Sequence, residues 1–201
     1  MGIGSMIIFI AMILVAGIAA SVMIQTMNSL QQQAMQTAEE TVGDVSSGLK
    51  VTQVSGYGNG SKITQLAIFL TPSAASRDID LTYAYISLSD TNNQVILTYD
   101  SNCFSSSVSS GLFGTLNASN LTSTTYGVMV VRDVDSSCSF STPVINNDDL
   151  VVLLINTSKC FSGISKRTEV YGRVIPEKGM SGMIGFTTPG AYVSTIIELQ
   201  P

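Results

Sequence analysis

The 201-residue chain contains no histidine and no tryptophan, and only 11% of its residues are Asp, Glu, Lys or Arg. Histidine is the commonest metal ligand and a frequent general base, so its absence argues against hydrolytic and metal-dependent catalysis. The net charge of −5 argues against nucleic acid as a partner, because nucleic-acid binding requires clustered Lys and Arg. No Gly-x-Ser-x-Gly motif and no glycine-rich phosphate loop is present. We therefore predict that the protein is not an enzyme.

Charge is missing above all from the N-terminal region. No ionised side chain precedes Glu39, and no Lys or Arg precedes Lys50. The run MGIGSMIIFIAMILVAGIAASVMI is apolar on every side and long enough to cross a bilayer, for which about 20 residues suffice. A cleaved signal peptide would have a basic n-region, a shorter apolar core and a small-residue cleavage site, and all three features are missing. A plain membrane anchor is the simplest alternative.

Apolar residues continue beyond this run in steps of three or four, at Met27, Leu30, Ala34, Ala38, Val42, Val45 and Leu49. This periodicity predicts one helix from about Ile3 to Ser47, ended by Gly48 as its C′ residue. Small residues at a spacing of four, such as Ala16 and Ala20, favour close contact with other helices. We predict that the helix packs in a bundle of like helices through Ile3, Ile7, Phe9, Ile10, Ile13, Leu14, Ala16, Gly17, Ala20, Ile24, Met27 and Leu30.

The segment GIGSMIIFIAMILVAGIAASVMIQT resembles the N-terminus of archaeal flagellins, or archaellins, which are type IV pilin-like filament subunits. The residues that carry the resemblance are Gly2, Ile3, Gly4, Phe9, Ile10, Ala11, Met12, Val15 and Ala16. It covers roughly the first 50 residues, and the remainder resembles the family only as a Ser/Thr-rich strand domain with glycosylation sequons. The resemblance implies a leader removed by a prepilin-type peptidase, a helix in the filament core and an outer β-sandwich.

The missing basic residues agree with such a leader. Membrane orientation is set mainly by Lys and Arg on the cytoplasmic side of an apolar segment, and nothing basic precedes this one. We therefore expect Met1 to be the first residue of a processed chain that has lost a short basic leader. The alternative is that the chain starts at its own Met1 and is oriented by other factors.

The region after the helix consists of short Thr/Val-rich segments separated by turn residues such as Asn92-Asn93. Strands at this spacing with no second helix predict an antiparallel β-sandwich of the immunoglobulin-like type, although a barrel gives the same pattern. Residues 101–123 form a long Ser/Gly/Asn-rich stretch with little periodicity. The predicted class is α+β, with the filament-core helix in residues 1–48 and the outer β domain in residues 49–201.

Three cysteines, Cys103, Cys138 and Cys160, lie in Ser-rich segments. In an extracellular protein an odd number of cysteines allows one bridge and one free thiol. We predict a disulfide between Cys103 and Cys138, and the other two pairings stay open. The spacing of the cysteines is unlike that of zinc sites.

Four N-x-[ST] sequons predict N-glycosylation at Asn59, Asn117, Asn120 and Asn156. Each lies in or beside a predicted loop, where a glycan would add bulk and solubility to the surface.

Acidic residues gather in two loop clusters, Asp133 with Asp135 and Asp148 with Asp149. Their oxygens could hold a hard cation such as Ca²⁺, although the spacing is not that of an EF-hand loop. Acidic loop residues are more often simply solvated. The sequence therefore names no metal ligands and no cofactor beyond this calcium possibility.

The sequence predicts an extracellular structural subunit that polymerises through its helix into the archaeal motility filament, after being held in the membrane. Its expected partners are copies of itself, other archaellins, the prepilin-type peptidase and the archaellum assembly and motor machinery. Two alternatives stay open. One is an archaeal adhesion pilin, and the other is a membrane-anchored β-domain binding protein.

Overall fold

The apolar N-terminal run and the stripe after it form a single helix, α1 (Gly2–Ser46). The structure is a computed structural model, and it describes residues 2–74, 76–146 and 148–201. Eleven strands follow in these residues, together with one short helix: β1 (Leu49–Gly58), β2 (Ile63–Pro72), β3 (Ile79–Asp80), β4 (Tyr85–Ser89), β5 (Gln94–Ser105), β6 (Thr125–Arg132), β7 (Val144–Ile145), β8 (Leu150–Ile155), α2 (Thr157–Phe161), β9 (Glu169–Ile175), β10 (Gly182–Thr187) and β11 (Ile196–Gln200). The chain divides into two units, one ending at Val42 and the other running from Gly43 to Pro201.

Nine strands of the second unit form one continuous sheet in the order β10-β9-β4-β5-β6-β8-β2-β1-β11. The sheet curls until its far ends approach, since the backbone N–H of Leu49 donates to the carbonyl oxygen of Met180 at 2.9 Å. Strands β3 and β7 form a separate pair. The predicted class, a long apolar helix followed by a mostly antiparallel β domain, is confirmed.

The inside of the curled sheet holds the main core. Alternate residues of the central strands point inward, among them Leu66 and Ile68 of β2, Val128 of β6 and Leu153 of β8, and all four are buried. Residues of the outer strands β4, β9 and β10 complete the same cluster. This alternation is the period of two that a pleated strand imposes, and the sequence prediction relied on it.

A second core lies on the opposite face of the same three central strands. It contains Ala67, Met129, Val152 and Leu154, and residues 106–124 cover it. We call residues 106–124 the strap. Its Leu116 and Leu121 are buried against this face, so the central strands are buried on both sides.

Two neighbouring strands, β5 and β6, pair in parallel, with Thr98 opposite Thr125 and Phe104 opposite Val128. The sequence analysis predicted only antiparallel pairing. Parallel neighbours need a crossover of a dozen or more residues, and the strap supplies it. The irregular Ser/Gly/Asn-rich stretch is therefore the connection that makes this pairing possible.

The end of α1 differs from the prediction at Gly48. This residue has no positive φ and is not a left-handed cap. It instead lies against Met180, where an added Cβ would come within 2.9 Å of the Met180 Cβ. The helix ends because Ser47 and Leu49 turn to hydrogen-bond the backbone of Met180. The sequence analysis also missed α2, which has only five residues.

Candidate assembly surface

The first part of α1 exposes apolar side chains around its whole circumference. Its most apolar 18-residue window has a mean hydropathy of 2.9, and none of that window is buried within the chain. Large side chains on all sides, such as Ile7, Phe9, Ile13 and Leu14, are more than half exposed. A helix that is apolar all round is stable only where lipid or protein surrounds it. The exposed surface of α1 is therefore a candidate contact surface for lipid or for other protein chains.

The hydroxyl groups within this surface need no water. The Oγ of Ser5 donates to the carbonyl oxygen of Gly2 at 3.0 Å. The Oγ1 of Thr26 lies 3.0 Å from the carbonyl oxygen of Val22 and 2.9 Å from that of Met23. Because these polar groups are satisfied within the helix, they can be buried in an apolar environment at little cost.

The large side chains predicted to pack in a helix bundle are all exposed on α1 in the single chain. Ile3, Ile10, Ile24, Met27 and Leu30 each have more than half of their surface accessible. A shallow groove runs along Leu30, Ala34, Ala38 and Val42, where alanines lower the helix surface. The contacts between copies stay a prediction.

The acidic loop residues come together in part. The carboxylates of Asp133, Asp135 and Asp149 supply oxygens within 4.8 Å of one another. Asp149 is buried and accepts the N–H groups of Val134 at 3.2 Å and Asn146 at 3.0 Å. The side chain of Asn146 donates to Asp135 at 2.6 Å, and this bond lowers the pKa of the exposed Asp135 carboxyl.

These three carboxylates could hold a hard cation, because Ca²⁺ prefers oxygen ligands. Asp148 lies outside the group. The carboxylates of Asp133 and Asp149 are already used by backbone N–H groups of the loop. The sequence expectation of a calcium ion therefore stays a prediction.

The comparisons with known proteins identify the family. Residues 1–186 match the family model of archaeal-type flagellin. The chain is 45% identical over 204 residues to "Flagellin B2" of Methanocaldococcus jannaschii, which covers 100% of this chain and 94% of the relative. The chain belongs to the archaeal-type flagellin family. It is therefore a structural protein and not an enzyme, and the N-terminal resemblance is confirmed.

Two solved structures agree with this assignment. The crystal structure of archaeal flagellin FlaB1 from M. jannaschii matches with a TM-score of 0.68 at 36% identity, and it covers 77% of this chain and 97% of its own. The structure titled as the archaeal flagellum of Methanospirillum hungatei matches with a TM-score of 0.63 over 100% of this chain and 99% of its own. At 15% identity, this second likeness shows a common fold.

The sequons of this flagellin are not equivalent. Asn59, Asn117 and Asn120 are exposed, and the Oδ1 atoms of the first two accept backbone N–H groups. Asn156 is buried, and its Nδ2 donates to the carbonyl oxygen of Ala118 at 2.7 Å. Because Nδ2 is the atom that receives a glycan, Asn156 is the least accessible of the four sequons, and N-glycosylation at all four stays a prediction.

Asn156 helps to hold the strap, together with a residue that the sequence analysis missed. The Nζ of Lys159, on α2, donates to the carbonyl oxygens of Ser119 at 2.8 Å and Leu121 at 2.7 Å. The strap that carries Asn117 and Asn120 is therefore fixed at three carbonyl oxygens within residues 118–121. Nothing in the sequence around Lys159 signals this role.

The predicted disulfide between Cys103 and Cys138 is not formed, and all three cysteines of the flagellin are free. Cys103 belongs to the cluster under the strap, whereas Cys138 belongs to the core inside the curled sheet. The two thiols therefore pack in different cores. Burial raises the pKa of all three thiols, to about 12 for Cys138 and about 11 for Cys160.

We expect three thiols per chain to react with an alkylating reagent after denaturation without a reductant. In the folded chain at pH 8, Cys138 should react slowly, because its raised pKa keeps the sulfur protonated and only the thiolate is nucleophilic. Mass spectrometry of alkylated peptides measures both quantities. Recovery of only one reactive thiol from the unreduced, denatured chain would show a bridge.

Proposed function

We propose that this flagellin polymerises through α1 into the filament of an archaeal flagellum, where the β domain forms the outer wall. The observation that carries the proposal is a helix of 45 residues whose large apolar side chains are exposed in the part of the chain that the structure describes. A bundle of like helices provides that cover. The likeness in fold to the M. hungatei flagellum chain over the full length of both chains supports it.

Before assembly, α1 resides in the membrane, and a prepilin-type peptidase removes a preceding leader. The 18-residue apolar window is long enough for this environment. Transfer from lipid to a helix bundle keeps the apolar surface away from water at both stages, so hydrophobic burial does not oppose the transfer. The assembled subunit is extracellular, and assembly and torque come from separate archaellum machinery. Other archaellins can share the filament because they present the same kind of helix.

Shearing of intact cells tests the proposal. A filament subunit is released into the supernatant as long polymers that electron microscopy detects, whereas a membrane-anchored binding protein stays with the membrane fraction. A deletion strain separates the two filament roles. Loss of swimming with normal attachment supports a motility filament, and loss of attachment alone supports an adhesion pilin.

We further propose that glycans coat the outer domain at the exposed sequons Asn59, Asn117 and Asn120. Peptides from native filaments that contain these residues should carry mass beyond that of the bare sequence. We expect the highest occupancy at Asn117 and Asn120, because both are exposed on the strap. The peptide containing Asn156 should be unmodified, since its Nδ2 is buried and bonded. Unmodified peptides at all three exposed sequons, or a glycan on Asn156, would contradict the proposal.

A further inference from the structure

One face of the β domain is left uncovered. The strap covers the outer face of β6, β8 and β2, but the outer face of β10, β9, β4 and β5 carries exposed large side chains. Met183 of β10, Tyr171 of β9 and Ile96 of β5 are each more than half exposed. Several large exposed apolar side chains on one sheet face are typical of an interaction surface.

The register of the strands places large and small side chains next to one another on this face. One cross-strand row runs Met183–Arg173–Ser87–Ile96, and the next runs Gly185–Tyr171–Ser89–Gln94. Small residues lie between the large ones. The small side chains leave a depression of about 470 Å³ between the large ones. It is lined by Ser87, Ser89, Gln94, Tyr171, Arg173 and Met183. We call it the outer-face depression.

Gly185 is an independent sign that something approaches this face. It lies in the middle of β10, has no positive φ, and an added Cβ would meet no atom within 4 Å. Neither backbone conformation nor packing within the chain requires a glycine there. Glycine weakens a strand interior, and it often marks a place where another backbone comes close.

The same domain carries a projection that fits such a depression. Phe140 is 64% exposed at the tip of a tight turn formed by residues 138–143. The turn is closed by a hydrogen bond from Ser139 N to Thr142 O at 3.2 Å. The hydroxyl of Tyr99 donates to the carbonyl oxygen of Phe140 at 2.8 Å. Because these hydrogen bonds already fix the backbone of the turn, little conformational entropy is lost when the Phe140 side chain binds a partner.

The charges of the two surfaces are complementary. Asp133 lies at the base of the turn, where its Oδ2 accepts the N–H of Cys138 at 3.1 Å, and Asp135 follows beside it. Arg173 lines the depression and forms no ion pair within residues 2–74, 76–146 and 148–201. The carboxylates beside the turn and the guanidinium of Arg173 in the depression therefore carry opposite charges.

We propose that Phe140 of one copy inserts into the outer-face depression of the next copy in the filament. The contact joins two different surfaces, and such a heterologous contact extends into a helical array when its rotation does not close. The partner is a second copy of this chain, because a filament brings copies together in one repeated orientation. The inference rests on the proposed function, because it assumes that the chain forms a filament.

The test uses native filaments and measures the fraction of subunits released at a fixed temperature. Ser87→Val fills the depression, Gly185→Val adds bulk at its edge beside Tyr171, and Phe140→Ala removes the anchor. Each is expected to raise release roughly tenfold, a change typical of losing an interface anchor. Thr187→Val, on the same strand and face but outside the depression, is the matched control and should behave as wild type. Circular dichroism should show that Gly185→Val leaves the β domain at least as stable.

A double-mutant cycle identifies the occupant. If Phe140 enters the depression, Ser87→Val combined with Phe140→Ala is no worse than either change alone, because the same contact is lost in each case. Fully additive effects would overturn Phe140 as the occupant. Filaments of Gly185→Val and Ser87→Val that resist heat like wild type would overturn the depression as an interface. Absence of filaments from the wild-type chain would instead contradict the proposed function.

Discussion

The Ile13→Asp variant is expected to form no filaments while its β domain stays folded. Ile13 lies in the most apolar part of α1, its side chain is exposed, and no Lys or Arg precedes Lys50 in the sequence to pair with a carboxylate there. An Asp near the centre of a membrane helix costs about 2.5–3.5 kcal/mol, and a packed apolar bundle should tolerate it no better. Every subunit of the polymer carries this cost. Electron microscopy of sheared cells, together with circular dichroism of the purified chain, measures both expectations.

Two control variants isolate the cause of this effect. Ile13→Leu keeps the apolar surface and should leave filament yield unchanged, because volume-conserving changes are usually tolerated. Gln32→Glu introduces the same charge beyond the apolar run, where α1 already carries polar residues, and should permit assembly. Normal filaments from Ile13→Asp would show that this part of α1 is not buried in the assembled state.

The second large effect is expected at Asp149, whose replacement by Ala should lower the free energy of unfolding of the β domain by about 2–4 kcal/mol. Its buried carboxylate accepts two backbone N–H groups, those of Val134 and Asn146, and these would be left without a partner. At roughly 2–4 °C per kcal/mol for a chain of this size, the midpoint of thermal unfolding should fall by ~5–15 °C.

Asp78 provides the matched control for this second change, since it is exposed and the same substitution removes only a solvated carboxylate. Asp78→Ala should shift the midpoint by less than about 2 °C. Equal midpoints for Asp149→Ala and the wild-type chain would mean that the loop between β6 and β8 does not depend on the buried carboxylate.

The helix and most strands follow directly from residue periodicity. Steps of three and four residues from Met27 to Val45 locate the second half of α1, and alternation locates segments such as Leu150–Ile155. Both patterns can be read within a single element, because each depends only on which of its faces is apolar.

Periodicity does not suffice where partners distant in sequence decide the structure. The parallel pairing of β5 with β6 depends on how the strap crosses the sheet, and no residue within either strand records it. Asn156 matches a sequon as well as Asn117 does, but only the fold brings its Nδ2 to Ala118. Glycine is the usual residue of a helix cap, but at position 48 it is required because Met180 approaches too closely to leave room for a Cβ atom.

The cysteines show the same limit for a chemical prediction. An odd count in an extracellular chain permits one bridge, and sequence distance does not reveal that Cys103 and Cys138 pack in different cores. The acidic residues illustrate the opposite case. Asp133, Asp135 and Asp149 belong to one loop region, so their proximity follows from the chain itself once β6 and β8 are placed as neighbours.

A reconstruction of sheared native filaments by electron cryo-microscopy tests the central claim most directly. If α1 is the polymerisation element, each subunit contributes one continuous helix of residues 2–46 to a core of packed helices, surrounded by β domains. Filaments held together by β domains alone, with α1 absent from the core or left in the membrane fraction after shearing, would contradict the account.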